Sequence, residues 1–175
     1  SSLCQPKGFY SITKHAAEQM LISYCRTFDI NYRILRLCNV YGEGDKNVSK
    51  KKNALQYLID QLRQNRDIDL YFDGKFYRDY MHVDDVCLAI DLCINKAPID
   101  CIINIGSGDK ILFRDLIDIA KNELGSTSKY IVIEPPKFHR LIQIKDFYMD
   151  TTKLKSLDFV QNISVEEGIR ALCCK

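Results

Sequence analysis

Apolar residues recur at helical spacing over residues 10–28, where Ala17, Met20, Leu21, Tyr24 and Phe28 mark one stripe. The period then changes. Residues 32–38, Tyr-Arg-Ile-Leu-Arg-Leu-Cys, are rich in β-formers and predict a strand. Residues 39–45 carry Asn39, Gly42, Gly44 and Asp45 and predict a turn-rich loop. A helix follows over 53–65, with Leu55, Leu58, Ile59 and Leu62 on one face. Residues 68–72 predict a short strand, closed by Asp73-Gly74. Asp84 is read as the N-cap of a helix to about Lys96, with Val86, Ala89, Ile90 and Cys93 as its stripe. Residues 101–105 are nearly all apolar, as in a strand buried on both faces. Phe113, Leu116, Ile117, Ala120 and Leu124 give a helix over 112–124, with Gly125 just past its end. Residues 130–134 predict a strand stopped by Pro135-Pro136. A short helix near Thr151, with Asp150 as its cap, and a last helix over about 164–172 complete the chain.

Strands alternating with helices of this length favour an α/β fold with parallel strands. The chain has 175 residues, of which 46% are hydrophobic and 27% charged, enough to bury a core. Its net charge of +2 argues against a dedicated nucleic-acid binder. No apolar run approaches the ~18–20 residues of a membrane span. The first residues lack the charged-then-apolar pattern of a secretory signal, so a cytoplasmic protein is expected. Eight cysteines are present without a C-x-x-C pair. His15, His82 and His139 stand far from one another, so packed, reduced thiols are expected and no metal site. The adjacent Cys173 and Cys174 are expected to fray at the end of the chain.

Tyr10 and Lys14 lie four apart on the first helix, hence one turn apart on the same face. An ammonium beside a phenol favours the phenolate, and such a pair can accept a hydroxyl proton during an alcohol oxidation. Taken alone, the same spacing is ordinary for a solvated helix face. Further blocks follow in order. They are Arg36-Leu37-Cys38-Asn39-Val40-Tyr41-Gly42, Arg78-Asp79-Tyr80-Met81-His82-Val83-Asp84-Asp85-Val86, and Asn104-Ile105-Gly106-Ser107-Gly108.

With Tyr10-Ser11-Ile12-Thr13-Lys14 and Ala17-Glu18, this order resembles the C-terminal portion of an extended short-chain dehydrogenase/reductase of the nucleotide-sugar epimerase/dehydratase group. The resemblance runs from Tyr10 to about Leu172. It implies a partial Rossmann-type parallel sheet plus a small α/β substrate-binding lobe. Residues 1–45 would belong to the Rossmann-type part and 46–175 mainly to the lobe, with 84–108 returning to the sheet. It implies NAD or NADP, NAD being favoured, and a nucleoside-diphosphate sugar as substrate. Tyr10 would be the acid/base at the sugar hydroxyl, and Lys14 would hold the nicotinamide ribose. Hydride would pass from the sugar carbon to the nicotinamide as the proton goes to Tyr10. Cys38 would border the nicotinamide. Asn39 and Arg78 would contact the diphosphate, and Tyr71 would line the base. The other readings are a turn residue for Asn39 and a salt bridge to Asp79 or Asp84 for Arg78. His82 is read as packed or hydrogen-bonded, Asp84 and Asp85 as helix-start residues, and Lys46, Lys50, Lys51 and Lys52 as a solvated basic loop. A homodimer is implied for the full-length parent, through the first helix.

The match also departs from the family pattern. No Gly-x-x-Gly-x-x-Gly turn follows a first strand, and neither Gly42-Glu43-Gly44 nor Gly106-Ser107-Gly108 substitutes for it. Nine residues precede Tyr10, too few for the serine or threonine that assists it. Glu43 stands where proline is usual, and Asp158 where glycine is usual. No arginine occupies the late diphosphate position before Asp150, and Lys145 is taken as the nearest cation. The expectation is a piece of a larger enzyme that by itself binds NAD weakly or not at all and shows no turnover. The competing reading is a non-catalytic nucleotide-sugar binding or dimerisation module.

Overall fold

The computed structural model describes residues 5–45, 53–142 and 144–174. The lysine run at 46–52 lies outside the described residues, as do Ser1, Ser2, Cys4 and the side chain of His139. The fold is α/β. Helix α1 (Phe9–Thr27) begins behind Gly8, whose amide donates to the Ser11 hydroxyl at 3.1 Å. It leads into β1 (Arg33–Leu37), which pairs in parallel with β6 (Cys101–Ile105), Arg33 opposite Cys101 and Leu37 opposite Ile105. Strand β2 (Asn39–Tyr41) pairs in parallel with β5 (Tyr80–His82). Strand β3 (Ile68–Tyr71) pairs in parallel with β8 (Tyr130–Ile133). Strand β4 (Tyr77–Arg78) runs antiparallel to β7 (Ile111–Leu112).

Two apolar clusters hold these pairs. Helices α2 (Ala54–Arg63), α4 (Phe113–Glu123) and α7 (Val165–Cys173) pack over β3. Leu55, Leu58, Ile59 and Leu62 meet Leu116, Ile117, Ala120 and Ile169 there. Gly168 lets α7 close on Tyr41, since a Cβ at 168 would lie 2.2 Å from the Tyr41 hydroxyl oxygen. The second cluster joins α3 (Val83–Lys96) and α6 (Thr152–Lys155) to β6 through Met81, Val86, Ala89, Cys93, Ile103, Ile105 and Leu154. Helix α5 (Lys137–Ile142) has no counterpart in the sequence reading.

Three expectations are corrected. Residues 39–41 form a strand, not a loop, because their partner 80–82 lies far off in sequence. The cap of α3 is His82, whose Nδ1 accepts from the Asp84 amide at 3.3 Å, while Asp84 sits in the first turn. Cys173 is not frayed but buried in the first cluster, and that burial pushes its thiol up to about 11. The stripe of α1 joins neither cluster. Met20, Leu21, Tyr24 and Phe28 are exposed, and only Cys25 of α1 is buried.

Polar contacts therefore matter in fixing α1. Arg36 on β1 donates Nε to Glu18 Oε1 at 2.7 Å and Nη2 to Oε2 at 2.6 Å. That fork holds the Glu18 carboxyl below the usual carboxylate range. A depressed carboxyl gives stability that is present above the ordinary glutamate range and lost as pH falls through its folded value. Amide protection in α1 should therefore drop below about pH 4 more than in α4, measured by hydrogen exchange. Glu18→Gln should remove that difference at a cost of about 1 kcal/mol, since the pair is partly solvated. Equal acid sensitivity of α1 and α4 would refute the clamp.

Candidate active site

The carboxyl ends of parallel strands are where α/β sheets open crevices for ligands. Here the ends of β1 and β3 open on a cavity of about 600 Å³. The first turn of α1 contributes Tyr10, the β1–β2 connection Leu37, Cys38, Asn39 and Val40, and the start of α2 Asn53, Ala54 and Tyr57. Strand β3 contributes Asp69 and Tyr71, and β4 contributes Arg78. Five of the six sequence-predicted site residues thus line one cavity. The sixth, Lys14, stands one turn along α1, with Nζ 5.7 Å from the centroid of the Tyr10 ring. Tyr10 is 76% exposed, so its phenol is open to any ligand on this wall.

Asn39, Cys38 and Arg78 each have identifiable neighbours. The Asn39 amide nitrogens, side chain and backbone, donate to the Asp79 carbonyl at 2.9 and 3.2 Å. Cys38 is pushed up by burial and by the nearby Asp79 carboxylate, so it remains a neutral thiol. Arg78 donates to the carbonyls of Tyr77 at 2.8 Å and Lys145 at 2.5 Å, and its guanidinium lies over the Phe76 ring. The two carboxylates weighed as partners for Arg78 are engaged elsewhere. Asp84 faces His82 Nδ1 at 3.5 Å, and Asp79 turns to backbone amides. Burial pulls Arg78 below its ordinary range, against the opposing charges of Tyr80 and Asp146. An anion beside Arg78 would offset that burial cost.

Sequence reasoning missed Asp79, Asp69, Phe72 and Arg140. Asp79 is fully buried. Its Oδ1 accepts from the Ser107 amide and hydroxyl, both at 2.9 Å, and its Oδ2 from the amides of Gly108 and Met149, both at 3.1 Å. A smaller cavity of about 220 Å³ adjoins the first and shares Tyr71, Phe76 and Arg78 with it. Phe72, Arg140 and Lys145 complete its wall, so three cations meet three aromatic rings. Lys145 was anticipated as the nearest late cation; Arg140 adds a guanidinium that the spacing from Asp150 did not reveal. A separate cavity under residues 42–45 contains none of these side chains.

The family model described as NAD dependent epimerase/dehydratase matches residues 1–106. The chain belongs to the NAD-dependent epimerase/dehydratase family. A candidate UDP-glucose 4-epimerase of Methanocaldococcus jannaschii is 31% identical over 165 residues, 94% of this chain and 52% of the relative. The crystal structure of the Thermotoga maritima UDP-glucose 4-epimerase with UDP-glucose superposes with a TM-score of 0.83 at 26% identity. That match covers 94% of this chain and 52% of the epimerase. The Streptomyces venezuelae dTDP-glucose 4,6-dehydratase with NAD bound gives a TM-score of 0.84 at 26% identity, over 99% of this chain and 52% of that one. The chain spans about half the length of these relatives.

An epimerase/dehydratase of this family needs a place for a dinucleotide, and the described residues fit one end of it. Tyr10 and Cys38 line one cavity, large enough for the reacting end of such a cofactor. No free cradle for the pyrophosphate is found among the described glycine turns. The amides of Ser107 and Gly108 are spent on Asp79, and a Cβ at Gly106 would lie 2.7 Å from that carboxylate. The Gly42 carbonyl accepts from the Gln56 side chain, beside Glu43 and Asp45. Among the described residues no helix is long and apolar enough to cross a membrane.

Proposed function

We propose that this chain supplies the substrate-binding half and the acid/base residue of an NAD(P)-dependent nucleotide-sugar epimerase or dehydratase. One observation carries the reading: Tyr10, Cys38, Asn39, Tyr71 and Arg78, spread over residues 10 to 78, converge on a single cavity. When bound, the nicotinamide supplies the hydride acceptor. The residues of this chain do the rest. The Tyr10 phenol oxygen takes the proton of a sugar hydroxyl and returns it when the ketone is reduced. Lys14, one turn behind, holds the nicotinamide ribose. Asn39 and Arg78 hold the diphosphate, and Tyr71 lines the base. Residues 1–45 belong with the dinucleotide part and 46–175 mainly with the substrate lobe, residues 84–108 returning to the sheet. NAD is favoured over NADP. The exposed stripe of Met20, Leu21, Tyr24 and Phe28 on α1 supports a homodimer of the whole protein through that helix.

The binding half of this proposal is testable on the chain alone. Titration with uridine diphosphate should show saturable binding, and Arg78→Lys should weaken it about tenfold. Lysine keeps the charge but loses the planar fork that grips a diphosphate. Absence of binding by the wild-type chain, or equal affinity of the variant, would overturn the assignment.

A further inference from the structure

Six non-glycine residues among the described ones have a positive φ, and five are aspartate or asparagine, which tolerate that conformation through short polar side chains. The sixth is Phe72, at φ 51°. It opens a left-handed run, with Asp73 at φ 56° and Gly74 at φ 71°. The last two are explained by the turn they make. The Lys75 amide donates to the Phe72 carbonyl at 2.9 Å, and Asp-Gly is a favoured pair at the centre of such a mirror-image turn. Asp73 is further held by Lys75 at 3.1 Å and by Arg114. The turn does not require a bulky residue at 72, and a phenylalanine there carries steric strain.

The strain has a local consequence. It puts Phe72 on the wall of the smaller cavity, which Tyr71, Arg78, Arg140 and Lys145 also line. Backbone strain of this kind persists where the surroundings enforce it and clusters at ligand clamps. Aromatic faces beside several cations suit a ligand with a flat π-system joined to phosphates. At about 220 Å³ the cavity is too small to enclose a drug-sized molecule whole but has room for a single nucleobase.

We infer that Phe72 is a base-binding residue of the nucleotide site: its ring, held at the smaller cavity by a left-handed backbone, stacks on the base of a nucleoside diphosphate. This deepens the proposed function and rests on its reading of the site as one for a nucleotide. The ring trades folding stability for affinity, so the two properties move in opposite directions when it is removed.

The test is Phe72→Gly, with Phe72→Tyr as the conservative control, in the full chain. Probes are uridine diphosphate, guanosine diphosphate and inorganic pyrophosphate, each titrated calorimetrically. Phe72→Gly should melt about 2–4 °C higher, because glycine accepts this φ without strain. It should bind uridine diphosphate about 5- to 50-fold more weakly, the usual consequence of losing a base-stacking ring. Pyrophosphate affinity should be nearly unchanged, and guanosine diphosphate should lose affinity as uridine diphosphate does. Phe72→Tyr should restore wild-type affinity. Unchanged uridine diphosphate affinity in Phe72→Gly overturns the role of Phe72 alone. So does an equal loss for pyrophosphate, or a fall in melting temperature. A wild-type chain that binds neither uridine diphosphate nor pyrophosphate overturns the site reading itself.

Discussion

Tyr10→Phe should lower turnover about 10²- to 10⁴-fold in a polypeptide that carries a cofactor-binding half ahead of these residues, the range typical of a lost acid/base group. Uridine diphosphate affinity should stay nearly unchanged. The substitution deletes one oxygen and leaves the ring on the cavity wall. Because Tyr10 is exposed on the first turn of α1 and belongs to neither apolar cluster, folding should not suffer. A fall in kcat without a rise in KM would locate the phenol's contribution in the transition state, where the proton moves. Retained turnover would remove Tyr10 from the chemistry and leave the cavity as a binding site only. A large rise in KM with normal kcat would instead make it a binding residue. Arg78→Lys is the complementary case, since its effect should fall on affinity first.

Much of this architecture was legible in the sequence because most elements declare themselves locally. The stripe Leu55, Leu58, Ile59, Leu62 predicts both α2 and its buried face, and Phe113, Leu116, Ile117 and Ala120 do the same for α4. The run at 101–105 is a strand as read, but only Ile103 and Ile105 are buried; the other three residues are half-buried, so it is not covered fully on both faces. What escaped depends on partners distant in sequence. Strand β2 has three residues and exists because 80–82 lies beside it. His82 displaces Asp84 as cap because the chain enters α3 directly from β5, putting the imidazole at the helix mouth. The outward stripe of α1 shows a further limit. Periodicity identifies an amphipathic helix but not whether its apolar face meets the core of the same set of residues.

The site was legible to a similar depth. The spacing of Tyr10 and Lys14 requires a shared helix face, which the fold provides. Asn39, Tyr71 and Arg78 could be proposed only through resemblance, since nothing in their local spacing brings them to one wall. Phe72 carried no sequence signal, because a residue's φ is not written in its identity. Asp79 was in plain view between Arg78 and Tyr80, yet it was weighed only as a partner for a cation.

That misreading bears on the largest stability effect expected here. Asp79→Ala should destabilise the chain by on the order of 3–5 kcal/mol, because it strands several buried donors at once. The Ser107 amide and hydroxyl and the amides of Gly108 and Met149 all lose their acceptor. Small domains have only about 5–15 kcal/mol in total, so a large fall in the urea midpoint is the expected outcome. Asp79→Asn keeps the shape and one acceptor oxygen and should cost less than the alanine change. Urea unfolding followed by circular dichroism measures both. The functional consequence follows from where the four donors sit. Ser107 and Gly108 end the turn after β6, and Met149 lies just beyond Lys145, whose carbonyl holds Arg78. The backbone carbonyl of Asp79 holds Asn39 at the same time. One buried residue thus joins the turn after β6 and the late segment through its carboxylate, and holds Asn39 through its backbone carbonyl. Asp79→Asn should therefore weaken uridine diphosphate binding even where the fold survives. An alanine variant as stable as wild type would mean that the amides find other acceptors and that the hub has no mechanical role.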